Sequence, residues 1–343
     1  MGTPIVTTQV AIRDYQATDE TPVIALLNLA LGTARAFERS PAFFRWKHLE
    51  NPFGRSLMLL ADSEKVVGLR AFLRWQFRAG GQTIRAVRAV DTATHPEFQR
   101  MGIFSRLTSA CLDRARAEGV HLVFNTPNQY SMPGYLKLGW THVGRSTVFV
   151  RPLRPARMLR SVLAPRLGLS LEGERDEVSR WASVDTLLEN EGGVADLLMH
   201  DDAHLAVGIR TARSPAFLRW RYARVPSLRY AAHWVERGGL RAAGIFRLTR
   251  RRGLQELMIC ELFMEEAQDG RRLVRDALRT SKADYAVAHC AWTTPHRRVL
   301  LSLGFVPVPR GPHFTVRPLT NSLPIDPTIL TSWRLALGDL EVF

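Results

Sequence analysis

Ser40-Pro41-Ala42-Phe43-Phe44-Arg45-Trp46 recurs 174 residues later as Ser214-Pro215-Ala216-Phe217-Leu218-Arg219-Trp220. Two further pairs follow in the same order. Leu138-Gly139-Trp140 answers Leu303-Gly304-Phe305, and Val150-Arg151-Pro152-Leu153 answers Val316-Arg317-Pro318-Leu319. Matched segments that keep their order and nearly their spacing mark the duplication of one unit of roughly 150 residues, which must be recognised before any fold is assigned. The expected organisation is a first domain over 1–153, a linker over 154–175, a second domain over 176–319 and a tail over 320–343. A chain of 343 residues suits two domains.

Composition narrows the class. Hydrophobic residues make up 46% and charged residues 23% of the chain, enough to bury real cores. No apolar run approaches the roughly 18 residues of a membrane span. The start, Met1 to Tyr15, lacks a basic-then-apolar leader, so a cytoplasmic location is expected. Cys111, Cys260 and Cys290 have neither metal-ligand spacing nor an even number for disulfide pairing, and they read as reduced thiols with no metal site. The net charge of +15 attracts polyanions, which leaves nucleic acid an unfavoured but open partner. The basic residues are dispersed, however, and lysine occurs only at Lys47, Lys65, Lys137 and Lys282, so the charge is an arginine bias without a basic patch.

Periodicity places the elements of the first unit. Strands are expected over 10–14, 57–61, 66–77, 83–94 and 120–126, with a final strand over 141–151. Helices are expected over 19–31, 40–49, 103–118 and 128–138. Pro41 suits the first turn of its helix. The fold class that follows is α/β with a mixed, mostly antiparallel sheet flanked by helices, repeated in tandem.

The strand over 83–94 runs through Pro96 into Gln99-Arg100-Met101-Gly102-Ile103-Phe104, where a helix begins. A tight glycine turn at a helix N-terminus gathers free amides and the positive end of the helix dipole, which is an anion site. Here the chain resembles the GNAT N-acetyltransferase superfamily, whose pyrophosphate loop reads Gln/Arg-x-x-Gly-x-Gly/Ala. Gln99 and Gly102 match, while Phe104 stands where a small residue is usual. The family's later motif, Asn-x-x-Ala-x-x-x-Tyr-x-x-x-Gly-Phe, is matched in register by Asn128, Ser131, Tyr135, Gly139 and Trp140. Pro133-Gly134 lies inside the short helix that carries the tyrosine and is expected to distort it.

The resemblance implies acetyl-CoA as acyl donor and a primary amine, on a small molecule or a peptide, as acceptor. It implies Thr92, Thr94, Gln99, Arg100, Met101, Gly102, Ile103, Phe104 and Asn128 as donor-binding positions, and Tyr135 as the acid that protonates the leaving thiolate. A phenol, with an ordinary pKa near 10, keeps its proton at neutral pH and can serve as that acid. Asp91 is the conspicuous carboxylate in an apolar strand and the candidate general base, with His95, Glu97 and water as competitors.

The second unit departs from this pattern. Glu265-Glu266 and Asp269-Gly270 put acid where a pyrophosphate would bind, and Thr293 and Leu300 replace Asn128 and Tyr135. This copy is expected to act as scaffold and as a wall of the acceptor cleft. Tandem architecture with one working copy is similar to the mycothiol synthases and the aminoglycoside-acetylating enhanced-intracellular-survival proteins. Two alternatives share the fold: an aminoacyl-tRNA-dependent transferase of the peptidoglycan-bridge type, and a non-catalytic acetyl-CoA sensor. The contrast between the copies predicts one equivalent of acetyl-CoA per chain by calorimetry. Arg100→Glu should weaken that binding by about 2 kcal/mol, the scale of a charged hydrogen bond; two equivalents, or none, would contradict the reading.

Overall fold

The computed structural model describes residues 10–32, 39–163 and 181–340. In chain order the first repeat forms β1 (Ala11–Asp14), α1 (Glu20–Leu31), α2 (Pro41–His48), β2 (Leu57–Ser63), β3 (Lys65–Ala79), β4 (Gln82–Thr94), α3 (Ile103–Ala117), β5 (Leu122–Asn125), α4 (Met132–Lys137), β6 (Thr141–Arg145) and β7 (Val148–Pro152). Helix α5 (Pro155–Leu163) opens the expected linker, whose remainder lies outside the described residues. The second repeat forms β8 (Ala182–Ser183), α6 (Val184–Leu187), α7 (Glu191–His204), β9 (Arg210–Thr211), α8 (Pro215–Leu218), β10 (Ala231–Glu236), β11 (Leu240–Arg251), β12 (Leu254–Met264), α9 (Ala267–Thr280), β13 (Tyr285–Ala288), α10 (Pro295–Ser302), β14 (Val306–Val308) and β15 (His313–Pro318). A tail ends in α11 (Leu337–Leu340).

The strands form two sheets of the same design. One runs β1-β2-β3-β4-β5-β15-β6, with β9 added beside β3; the other runs β8-β10-β11-β12-β13-β7-β14. β4 meets β5 and β12 meets β13 in parallel, whereas β1–β2, β2–β3, β5–β15, β10–β11, β11–β12, β13–β7 and β7–β14 are antiparallel. The fold class expected from the sequence is therefore present twice. One expectation is corrected: the single strand expected over 141–151 is two strands, β6 and β7, in different sheets. Gly144, next to the end of β6, has φ +148°, a backbone region that L side chains rarely adopt.

The last strands are exchanged between the repeats. β15 lies between β5 and β6, pairing Thr315 with Asn125 through Pro318 with Leu122. β7 takes the same place between β13 and β14. Compact units accordingly interleave in sequence. One draws on Met1–Gln76, Ile84–Thr141 and Thr315–Ser322, and the other on Phe77–Thr83, His142–Phe314 and Leu323–Phe343.

Each unit has its own core. In the first, α3 lays Ile103, Leu107, Cys111 and Ala115 onto Leu59, Val67, Phe72 and Val87 of the sheet. In the second, α9 lays Leu273, Val274 and Ala277 onto Val235, Phe246 and Leu257, with Phe149 of β7 in the same cluster. All three cysteines are buried free thiols, and burial pushes those of Cys111 and Cys290 up to about 12. Among the described residues no helix is long and apolar enough to cross a membrane.

The repeated heptapeptide does the same job in both copies. Ser40 caps α2 by accepting the amide of Phe43 at 3.2 Å, and Ser214 caps α8 by accepting that of Phe217 at 3.1 Å. The proline after each serine sits where a missing N–H is harmless. Ser40→Ala and Ser214→Ala should each destabilise their unit by about 1 kcal/mol, the usual value of a cap. Urea unfolding of the two variants checks this, and an unchanged midpoint for either would show that its cap is not felt.

Candidate active site

Strands β4 and β5 are paired only from Ala86↔Leu122 to Arg88↔Phe124, after which no pairing joins them. Parallel strands that part company leave backbone amides and carbonyls needing partners, which is where a polar ligand can be held. A cleft of about 610 Å³ opens beside this point, lined from β4, the turn after it, the start of α3, the end of α1 and the segment around α4.

The turn at the cleft mouth is built by two left-handed residues. Arg100 has φ +65° and Gly102 φ +72°, and Gly102 stands immediately before α3. Glycine adopts that conformation without a Cβ clash, whereas Arg100 holds it under local strain. The first amides of α3 have no acceptor inside the helix and carry the positive end of its dipole. Arg100 is exposed at this mouth, while the guanidinium of Arg106 is committed to the Val10 carbonyl at 2.8 Å.

Tyr135 closes the other end. It is 5% exposed, its ring in the core against Trp140 at 5.2 Å, and it lines the cleft. The distortion expected from Pro133-Gly134 is absent, because Pro133 falls in the first turn of α4, where its missing N–H breaks no bond. Gly134 has a separate purpose. A Cβ there would come within 3.2 Å of the Phe104 ring, which itself packs edge-on to Tyr135 at 5.8 Å. The large residue at 104 is thus accommodated by the absent side chain at 134.

Of the residues singled out in the sequence, Thr92, Thr94, Gln99, Arg100, Gly102, Ile103, Phe104 and Tyr135 all line this cleft. Met101 and Asn128 do not. Met101 is 52% exposed. Asn128 is turned to its own loop, its Oδ1 accepting from the amides of Tyr130 and Ser131 at 3.0 and 2.9 Å. That is an Asx turn leading into α4, a local use of the residue. The cleft also draws on Ser131 of the later motif and on Ala30, Leu31, Phe98 and Tyr130, which no motif marked.

Asp91 faces elsewhere. Neighbouring strand residues project to opposite faces, and while Thr92 lines the cleft, Asp91 meets Lys47 Nζ at 2.6 Å and His48 Nε2 at 2.9 Å, both on α2. Burial alone would raise the Asp91 carboxyl; the Lys47 ammonium and the His48 hydrogen bond outweigh it and hold the group well below the usual carboxylate range. A carboxylate so paired is a weak proton acceptor. Burial lowers His48, so its neutral ring donates from Nε2 to Asp91, and Nδ1 accepts from Ser56 Oγ at 2.9 Å. Asp91 has φ +36° in the strand, a strained conformation that these contacts over-determine.

Sequence reasoning also passed over Arg70. It is 0% exposed on β3, and its Nη1 donates to the Tyr135 hydroxyl at 2.9 Å and to Thr92 Oγ1. The available signal was the one used for Asp91: a charge in the middle of an apolar strand, here Val67-Gly68-Leu69-Arg70-Ala71-Phe72.

The second unit is filled at the corresponding place. Strands β12 and β13 pair from Glu256↔Tyr285 to Ile259↔Ala288. Past that point the tail lies against them and leaves a cavity of only about 40 Å³ lined by Cys260, His289 and Leu335 among others. Asp339 of α11 accepts from Arg213 Nη2 and Thr211 Oγ1, both at 2.8 Å, and Glu261 accepts from Arg213 Nε at 2.8 Å and the Tyr222 hydroxyl at 2.6 Å. Burial pushes Glu261 up to about 7 against the pull of Arg213. Leu300, at the position of Tyr135, is buried in the core. Glu265 and Asp269 are matched by Arg241.

A sheet opened between two parallel strands, a glycine turn before a helix and a tyrosine at the inner end are the features of the first unit that carry its resemblance to the GNAT class. Comparison with known proteins agrees. Residues 11–143 match the family model of the acetyltransferase (GNAT) domain, and this part of the chain is a GNAT-superfamily domain. No curated protein matches the chain in sequence. Among solved structures it is similar to a GCN5-related N-acetyltransferase from Kribbella flavida, at 17% identity and a TM-score of 0.61, over 92% of this chain and 72% of that one. It is similar to another from Anabaena variabilis ATCC 29413, at 15% identity and a TM-score of 0.64, over 91% and 73%. A third, a conserved protein of unknown function from Enterococcus faecalis V583 described as a probable N-acyltransferase, gives 12% identity and a TM-score of 0.63 over 91% and 73%.

The buried carboxylate yields a prediction with a defined sign. A carboxyl whose pKa is lower folded than unfolded stabilises the fold above the ordinary carboxylate range and loses that contribution as pH falls through the lowered value. Asp91→Asn should therefore destabilise by about 3–5 kcal/mol at neutral pH, because it leaves a buried ammonium unmatched. Denaturant midpoints of variant and wild type should draw together below about pH 4; a difference independent of pH would refute the ion-pair account.

Proposed function

We propose that the chain is an N-acetyltransferase that moves an acetyl group from acetyl-CoA to a primary amine, on a small molecule or a peptide, in the cleft of its first unit. The observation that carries this reading is the joint placement, in one cleft, of the amide-rich turn at Gly102 and the hydroxyl-bearing Tyr135. A cleft of about 610 Å³ has room for the pantetheine end of the donor. When bound, the donor supplies a thioester whose acyl carbon the amine attacks and whose sulfur departs as thiolate.

The chain's residues divide that work. The turn over Gln99–Gly102 and the first amides of α3 hold the pyrophosphate, with Arg100 adding charge at the mouth. Thr92 and Thr94 flank the pantetheine arm, and Ile103 and Phe104 supply apolar walls. Tyr135 holds a proton within the cleft and releases it to the departing sulfur. Asp91 keeps the β4 strain in place through Lys47 and His48, and the amine's proton passes to solvent.

Tyr135→Phe tests the reading because it removes the proton and keeps the ring's packing. Turnover with acetyl-CoA and a panel of primary amines (a polyamine, free lysine and a peptide with a free N-terminus) is followed by release of free thiol. The variant should lose roughly 10²–10⁴-fold in kcat, the usual share of general acid catalysis, with acetyl-CoA affinity unchanged. Normal turnover by the variant would move protonation elsewhere. Donor binding without transfer to any amine would favour a sensor, and salt-sensitive tRNA binding without donor binding would favour a tRNA-dependent transferase.

A further inference from the structure

Arg70 is a buried cation without a counter-ion. Its side chain is wholly enclosed, and Nε and Nη2 have no hydrogen-bond partner. No carboxylate pairs with it among the described residues. What surrounds it instead is aromatic: the rings of Phe72, Tyr135 and Phe104 lie 4.9, 5.2 and 5.7 Å from the guanidinium carbon. Ring faces attract a cation, but they do not replace the water it has lost or satisfy two idle N–H groups. By contrast, the other deeply buried charges named above, Asp91 and Arg213, are each paired. An apolar residue of the same size at position 70 would serve folding at least as well. Stability does not account for this arginine.

Its bonds do. A guanidinium has donors only, so the contact from Nη1 places a proton on a lone pair of the Tyr135 oxygen at 2.9 Å. The phenol's own proton must then go to some other acceptor, and Tyr135 lines the cleft. The same Nη1 also reaches Thr92, so one group fixes both the hydroxyl and the cleft-lining strand. When the phenol gives up its proton, the oxygen left behind is an anion in direct contact with a cation in a medium of low dielectric. Charge matching that exists only after proton transfer stabilises the transition state over the ground state, which is the condition for an interaction to raise kcat.

We propose that Arg70 is a positioning residue for acyl transfer: it aims the Tyr135 hydroxyl into the cleft and neutralises the phenolate formed there. The inference rests on the acetyltransferase reading. The step is balanced as follows. The amine nitrogen bonds to the acyl carbon and loses a proton to solvent, and the carbon–sulfur bond breaks with its electron pair on sulfur. That sulfur takes the Tyr135 proton, and the phenolate, held against Arg70, regains a proton from solvent before the next cycle.

The test combines stability with turnover. Arg70→Met keeps volume and removes charge. Its thermal unfolding midpoint should equal or exceed that of the wild type, KM for acetyl-CoA should stay within about twofold, and kcat should fall roughly 10²-fold, as when one preorganised donor is removed. In a Tyr135→Phe background the same substitution should lower kcat by less than about threefold, because its effect acts through the hydroxyl. Arg70→Lys, which keeps a donor and a charge, should restore part of the lost turnover. A lowered midpoint for Arg70→Met, an unchanged kcat, or an equal loss in the Tyr135→Phe background would each overturn the role of Arg70. A wild-type chain that transfers acetyl to no amine overturns the acetyltransferase reading and this role with it. An active chain indifferent to position 70 overturns this role alone.

Discussion

The parting of β4 from β5 is the constraint around which the first unit is organised. Two parallel strands that hydrogen-bond through Arg88 and Phe124 and then diverge give up ladder bonds, and something must hold them apart. On one face this is the buried contact of Asp91 with Lys47 and His48, which ties β4 to α2 and maintains a left-handed residue inside a strand. On the other face Arg70 bonds Thr92 and Tyr135, bringing the end of β4 and helix α4 to the same guanidinium. The cleft lies along the end of β4, the glycine turn before α3 and the segment around α4.

The same opening exists in the second unit and has been put to another use. Past Ile259 and Ala288 the chain's own tail lies against the strands, held by Asp339 on Arg213 and by Glu261 on Arg213 and Tyr222. A buried ion network that fixes a segment of the chain stands where the first unit keeps a cleft. With Leu300 at the tyrosine position, the second unit has no phenol at this place. The two copies therefore share a backbone and differ in whether the gap between the parallel strands is left open or filled.

Exchange of the last strands explains why duplication of sequence is not duplication of autonomous pieces. β15 completes the sheet that begins with β1, and β7 completes the sheet that begins with β8. The matching Val-Arg-Pro-Leu segments at 150–153 and 316–319 are alike because they fill equivalent slots, although each slot belongs to the other repeat's sheet. An edge left without its inserted strand would expose unpaired backbone, so each repeat depends on the other's C-terminal strand.

Much of the architecture was readable in the sequence because it is local. Helix α3 follows from the spacing of Ile103, Leu107, Cys111 and Ala115, the capped helices from Ser-Pro, and the tight turn from Gly102 before a helix. The two motifs likewise placed Gln99 and Tyr135 in one cleft, since short spacings along a chain of known elements leave little freedom. What the sequence could not determine is which partner a polar side chain finds across the fold. Asp91 stands out in the sequence only as a carboxylate in an apolar strand, and its partners Lys47 and His48 lie more than 40 residues earlier. Asn128 stands out only by its motif position, and its Oδ1 is taken by the amides of its own loop. Arg70 gave no sign of its tie to Tyr135, and the strand expected over 141–151 gave none of its division between two sheets. Hydrogen bonds, ion pairs and strand neighbours are fixed by non-local packing and by the need to satisfy every buried polar group, so only the tertiary structure decided them.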